Sequence, residues 1–244
     1  MTYTQFSRGD LAREYAARNG WVLLRRNIMV EGDGDVRYFE LAAKLYAEAN
    51  NGQSLLGKDL SIFSAGTGNN GGTLGIIDKL PSLLDVIESD KDEQGTKLFR
   101  VIVLADNDRA GNACVQALLN RRRTWEIYRD VFLVHRILPT TNRFPHVLRN
   151  DVQEANDAWK SLDCEIEDLL DDNIIDAFIS TNPHALSQKG ISCEGGARHC
   201  EWTLQGKANL IRYVERYAML RDIERIVRFL QALRFHLGLT MEGC

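Results

Sequence analysis

The sequence predicts an α/β fold, a parallel sheet with helices on both faces, followed by a mainly helical C-terminal extension. Three observations lead there. Short apolar segments alternate with stretches of helical periodicity in the order βαβαβαβ. The strongest segment, Val101-Ile102-Val103-Leu104-Ala105, is apolar at every position, which suits a central strand covered on both sides. Acidic residues follow two of the strands directly, at the edge where open α/β sheets bind ligands.

The first strand is Asn27-Ile28-Met29-Val30, closed by Glu31-Gly32-Asp33-Gly34, where two glycines mark a tight turn. A helix follows, with Val36, Phe39, Leu41, Ala42, Leu45, Tyr46 and Ala49 at helical spacing and Asn50-Asn51-Gly52 as its stop. Leu60 to Ser64 forms the second strand. It runs through a glycine-rich loop into a helix carrying Leu74, Ile76, Ile77, Leu80, Leu83 and Leu84, which Pro81 divides if it acts as a breaker. The polar segment Glu88 to Gly95 is a surface loop before the third strand, Val101 to Ala105. A further helix spans Ala110 to Tyr128, and Val131 to Val134 gives the fourth strand. Right-handed crossovers make this a doubly wound, Rossmann-like sheet.

The pattern changes after Pro139, which sets a boundary between residues 1–140 and 141–244. The second part reads as a loop through Pro145, an acidic helical stretch from Asp151 to Phe178, a glycine-containing connector from Pro183 to Gly206, and a closing helix from Lys207 to Leu237. Leu210, Ile211, Val214, Ala218, Ile223, Ile226, Val227, Leu230 and Leu233 give that helix an apolar face, to be used as core, dimer seam or partner surface.

Composition narrows the function classes. A content of 44% hydrophobic and 26% charged residues predicts a chain folded throughout. The first twenty residues lack the apolar segment of a secretory signal, and no apolar run is long enough to span a bilayer. Five irregularly placed cysteines argue against a disulfide framework, so a cytoplasmic protein with no membrane partner is expected. The net charge of -4 argues against coating nucleic acid by electrostatics alone. It leaves room for a nucleic-acid enzyme whose site is itself acidic and whose bound cations reverse that sign locally.

Glu31, with Asp33 and Asp35 just beyond it, ends the first strand, while Asp106 and Asp108 end the third. If these strands are neighbours, both clusters face one point. Asp106 and Asp108, two apart on extended chain, point the same way and suit a hard cation, Mg2+ or Mn2+. Such an ion serves phosphodiester cleavage by neutralising charge on phosphate and activating water. Singly, each acid also reads as a turn former or helix cap, Asp108 above all. Five acids in order at two strand ends favour the chemical reading.

Val30-Glu31-Gly32-Asp33-Gly34-Asp35, followed by Val103-Leu104-Ala105-Asp106-Asn107-Asp108-Arg109-Ala110-Gly111, resembles the signature of TOPRIM domains. These are Rossmann-like catalytic modules of topoisomerases, primases and several nucleases. The resemblance covers residues 1–140 as the catalytic core. It implies a general acid-base or metal-site role for Glu31 and metal binding by Asp106 and Asp108. The spacing from Glu31 to Asp35 is similar to that in OLD-family nucleases and related effectors of phage defence, which adds Asp35 to the metal ligands. The later acid before a Leu-Leu pair in that group matches Glu167 in Glu165-Ile166-Glu167-Asp168-Leu169-Leu170, with Glu165 as the alternative, and its lysine matches Lys207 as a catalytic, charge-stabilising group. Residues 141–244 would complete the site and supply a dimer or partner interface.

No ATPase, helicase or zinc-binding module accompanies these motifs. The chain therefore resembles the small stand-alone TOPRIM toxins of PARIS-like defence systems, which work with a separate ATPase partner. The implied activity is magnesium- or manganese-dependent endonucleolytic cleavage of DNA or RNA. The alternatives are a housekeeping nuclease that matures RNA and a non-catalytic TOPRIM scaffold that binds nucleic acid.

Other motifs carry less. The loop Gly66 to Gly72 lacks the Gly-Lys-Ser/Thr ending of a P-loop. Cys193, His199 and Cys200 are poorly spaced for a closed zinc site. Arg121, Arg122 and Arg123 read either as phosphate contacts or as a solvated helix end.

Overall fold

The computed structural model describes residues 9–66 and 71–241. Its centre is a sheet of four parallel strands, β1 (Arg26–Val30), β2 (Leu60–Ser64), β3 (Arg100–Ala105) and β4 (Val131–Leu133), in the order β2-β1-β3-β4. The two strands that carry acids at their ends are thus neighbours, with Asn27 paired to Val101 and Met29 to Val103. The apolar run of β3 is covered on both faces as expected. Val101, Val103 and Ala105 enter one hydrophobic cluster, and Ile102 and Leu104 enter the other.

Three helices cover the first face: α1 (Asp10–Arg18), α3 (Gly72–Ser89) and α4 (Arg109–Arg121). The second face carries α2 (Asp33–Ala49), α5 (Pro145–Asn156), α6 (Asp172–Thr181), α7 (Leu204–Tyr217) and α8 (Glu224–His236). No helix among the described residues is long and apolar enough to cross a membrane.

Several elements differ from the sequence expectation, each for a local reason. Pro81 does not divide α3. Its ring removes the amide that would bond the Ile77 carbonyl, but Arg121 Nη1 of α4 donates to that oxygen at 3.0 Å and the helix runs on. Helix α4 stops at Arg121 rather than Tyr128. The acidic stretch is two helices, because the chain between them is drawn into the sheet edge, where Cys164 and Asn107 exchange both backbone hydrogen bonds at 2.9 and 3.1 Å. The Pro183–Gly206 connector contains an antiparallel hairpin of β5 (Leu186–Glu194) and β6 (Ala197–Trp202). Gly195 and Gly196 turn it with φ of 55° and 77°, the positive values that two-residue hairpin loops need.

The closing helix is broken into α7 and α8. The Met219 amide leaves the helical ladder for the Asp222 carboxylate at 2.8 Å, and one turn of 3-10 helix over Leu220–Ile223 reverses the chain. Its apolar face is core: Leu210, Val214, Ile226, Leu230 and Leu233 are all fully buried against α2 and the sheet. Helix α8 is locked there by Arg234, which has no solvent exposure and grips both oxygens of Asp59 at 2.8 and 3.0 Å.

Candidate active site

The site lies at the carboxyl edge of β1 and β3. Glu31 leaves β1 and turns its side chain across to β3, where Oε1 accepts the Asp106 amide at 3.1 Å. The Gly72 amide donates to the Glu31 carbonyl at 2.9 Å, fixing the main chain from the far side. Asp35, in the first turn of α2, accepts the Gly32 amide through Oδ2 at 2.9 Å. Asp108 caps α4 by accepting the Gly111 amide through Oδ1 at 2.6 Å. A β-carbon at position 111 would stand 1.9 Å from the Asp106 carbonyl oxygen, so α4 can pack this closely on the acidic segment only with glycine there.

Glu31, Asp35 and Asp108 therefore share a design. One carboxylate oxygen satisfies a backbone amide that would otherwise be unpaired. The other takes no hydrogen bond among the described residues and remains available. The capping reading of Asp35 and Asp108 and the chemical one are both compatible with this geometry.

Glu167 and Lys207 arrive from the C-terminal part. Pairing of Cys164 with Asn107 brings the next turn, Ile166–Leu169, over the sheet edge, and Glu167 is 7% exposed there. Lys207, in the first turn of α7, lies 2.8 Å from Glu165 and 4.0 Å from Glu167. Glu165 is thus the partner of the lysine, while Glu167 is among the charges that act on Asp106. Asp33 turns away to the Ser64 hydroxyl.

Electrostatics mark the cluster as short of positive charge. Burial pushes Glu31 up to about 7, helped by Asp35 and Asp108. Burial likewise raises Glu167 to about 7 and Asp35 to about 6, although Lys207 pulls both down. Asp106 is held well above the usual carboxylate range by burial and by Asp35, Glu31 and Glu167. Lys207 rises above its ordinary value despite burial, because Glu167, Glu165 and Asp106 surround it. One ammonium does not neutralise Glu31, Asp35, Asp106, Glu165 and Glu167 together.

These are hard oxygen donors with unused lone pairs and uncompensated charge, the chemistry that suits Mg2+ or Mn2+. Tyr38, one turn beyond Asp35 on α2, points to the same deficit. Its hydroxyl is buried beside Asp35 and Glu167 without a hydrogen-bond partner. Among the described residues no three acids are already gathered at ligand distance from one point.

The structure brings together Glu31, Asp35, Asp106, Glu167 and Lys207, with Asp108 at the margin in its capping role. Sequence reasoning missed Tyr38, though its spacing of three from Asp35 places it on the same helix face. It also missed the support beneath Glu167. There Asp168 accepts the Glu165 amide at 2.8 Å and His199 Nδ1 at 2.8 Å, so His199 serves this turn rather than a zinc site. Thr67 to Asn70 of the glycine-rich loop lie outside the described residues. Of the arginine run, Arg121 holds the Ile77 carbonyl and Arg122 pairs with Asp85 and Glu88, which leaves those two to α3. Comparison with protein-family models, curated proteins and solved structures gives no match.

Proposed function

We propose that this chain is a divalent-metal-dependent nuclease that hydrolyses phosphodiester bonds in DNA or RNA. The observation that carries the reading is the contact of Glu31 with the Asp106 amide. It unites the Glu-Gly and Asp-x-Asp motifs of the TOPRIM resemblance at one sheet edge, together with a buried third acid and a lysine.

Asp35, Asp106, Asp108, Glu167 and the free oxygen of Glu31 would hold the cations. A bound Mg2+ or Mn2+ supplies Lewis-acid neutralisation of the phosphate and lowers the barrier to forming hydroxide. Glu31, raised to about 7, is poised to take a proton from the attacking water and to release it near neutral pH. Lys207 remains protonated and sets a fixed positive charge against the developing charge on phosphate. Release of Glu165 from Lys207 would free that ammonium for substrate.

The resemblance to stand-alone defence effectors supports a toxic role held in check by a separate ATPase. The decisive experiment incubates the purified chain with total tRNA and with plasmid and genomic DNA, with Mg2+, Mn2+ or chelator. Metal-dependent cleavage of one substrate class is expected, with Glu31→Gln slower by about 10²- to 10⁴-fold, the usual contribution of a general acid-base group. Full activity of Glu31→Gln, or cleavage indifferent to chelator, would remove the proposal. Growth arrest on expression that Glu31→Gln relieves would separate an effector from a housekeeping nuclease.

A further inference from the structure

A second cavity lies behind the Glu167 turn, between the exit of β4, the β5–β6 hairpin and α8. It encloses about 580 Å³, within the range of small-molecule sites. Its lining is strongly biased in charge: Arg136, Arg198, Arg225 and Arg228 stand against a single carboxylate, Asp172. Arg198 is already paired with Asp172 and Asp176, and Arg228 with Glu224.

Arg136 and Arg225 differ. Arg136 donates to the carbonyls of Asp168 and Arg198 at 3.2 and 2.6 Å, and Arg225 donates to the carbonyl of Leu170. Neither forms an ion pair among the described residues. Both guanidinium groups are therefore held in place by neutral oxygens, with N–H donors left over and their charge unanswered. That arrangement suits the bidentate binding of phosphate.

The rest of the lining completes a ligand site. Half-buried Trp159 has its only donor satisfied, Nε1 giving to the Gly195 carbonyl at 3.1 Å, so its ring is pinned. A β-carbon on Gly195 would lie 3.0 Å from that ring and 2.3 Å from the Ala158 carbonyl, so the glycine of the hairpin turn is also what lets the indole seat. Trp159 and Arg136 also line a neighbouring cavity that reaches Asn107, between the two aspartates of the proposed catalytic motif. Leu138, Phe229 and Ala232 give the cavity against α8 an apolar wall, and Thr140 and Gln231 add polar groups. A pinned aromatic ring, an apolar wall and two unanswered guanidinium groups fit a planar base joined to a phosphate.

We infer that this cavity binds a nucleotide, its phosphate on Arg136 and Arg225 and its base against Trp159. The nucleotide is either a free molecule or one unit of a nucleic-acid strand. The site does not depend on the acidic cluster having nuclease activity. Because Arg136 and Arg225 hold the carbonyls of Asp168 and Leu170, on the far side of Glu167, occupancy would be felt at that turn.

The test is calorimetric titration of the full chain in chelator with the four ribonucleoside monophosphates. Inorganic phosphate and adenosine serve as half-ligands, and short single-stranded oligonucleotides as the second source. Saturable binding of at least one monophosphate or oligonucleotide is expected, with phosphate and adenosine each weaker by tenfold or more, roughly 1.4 kcal/mol. Arg225→Gln and Trp159→Leu should each weaken it by about tenfold while the chain still melts in one cooperative transition. Glu31→Gln should bind as wild type, which separates this site from the acidic one. Oligonucleotides binding far more tightly through the same residues would assign the site to a strand, and equal affinity would assign it to free nucleotide. No saturable binding by about millimolar concentration, or binding indifferent to both variants, overturns the inference.

Discussion

At the residue scale, the acids of the site act on stability as well as chemistry. Glu31 and Glu167 are raised to about 7 and Asp35 to about 6, all above the values expected in an unfolded chain. The folded state therefore holds protons that the unfolded chain has released. The associated stability is fully present below about pH 4 and is lost as pH rises through about 6 to 7. In chelator, the unfolding free energy should fall between about pH 5 and pH 8 by an amount on the order of a few kcal/mol, and the melting temperature should fall with it. Glu31→Gln should flatten that fall, and Mg2+ or Mn2+ should reverse it at the alkaline end by binding the ionised acids. Calorimetry across this range checks it. A melting temperature that climbs with pH would mean that these carboxylates are already paired.

At the element scale, helix α3 depends on a neighbour for its continuity. Pro81 leaves the Ile77 carbonyl without its helical donor, and Arg121 takes that oxygen at 3.0 Å. Arg121→Ala is expected to cost about 1 kcal/mol in chemical denaturation, the ordinary worth of a hydrogen bond. In a Pro81→Ala background the residue at position 81 regains its amide, so the same Arg121→Ala change should cost measurably less. Equal costs in both backgrounds would show that Arg121 acts through something other than this carbonyl. The basic run at the end of α4 is thus structural at two of its three positions, a role set by the partner helix.

At the scale of the whole molecule, one hydrophobic cluster joins α2 and the sheet to α5 through α8. The site inherits this continuity, since Glu167 and Lys207 reach Glu31 and Asp106 only because the later helices pack with α2 on the second face of the sheet. Arg234 is the strongest tie. It is fully buried, with Asp59 and the Leu55 and Thr240 carbonyls as partners. Arg234→Met should cost about 3 kcal/mol or more, because it leaves a carboxylate and buried carbonyls unanswered. Adding Asp59→Leu should return part of that loss. Urea unfolding measures both, and a single-variant cost under about 1 kcal/mol would show that α8 is held mainly by its apolar face.

The sequence alone determined the parallel sheet, the extent of its four strands to within a residue or two, and the acids at the ends of β1 and β3. These are properties of short local patterns: runs of β-branched residues, helical spacing, and a polar residue where a strand meets its turn. Local pattern did not reveal the β5–β6 hairpin, whose β5 is largely solvent-exposed and so lacks the apolar alternation that marks a half-buried strand. Nor did it show the break between α7 and α8, which lies within an uninterrupted helical period. Only the tertiary structure decided that Lys207 lies 2.8 Å from Glu165 and 4.0 Å from Glu167, and that Tyr38 is buried beside Glu167 and Asp35. The reason is physical: burial and the convergence of charges arise from segments tens of residues or more apart, such as Glu31 and Asp106 at a separation of 75, and no local window of sequence contains both partners.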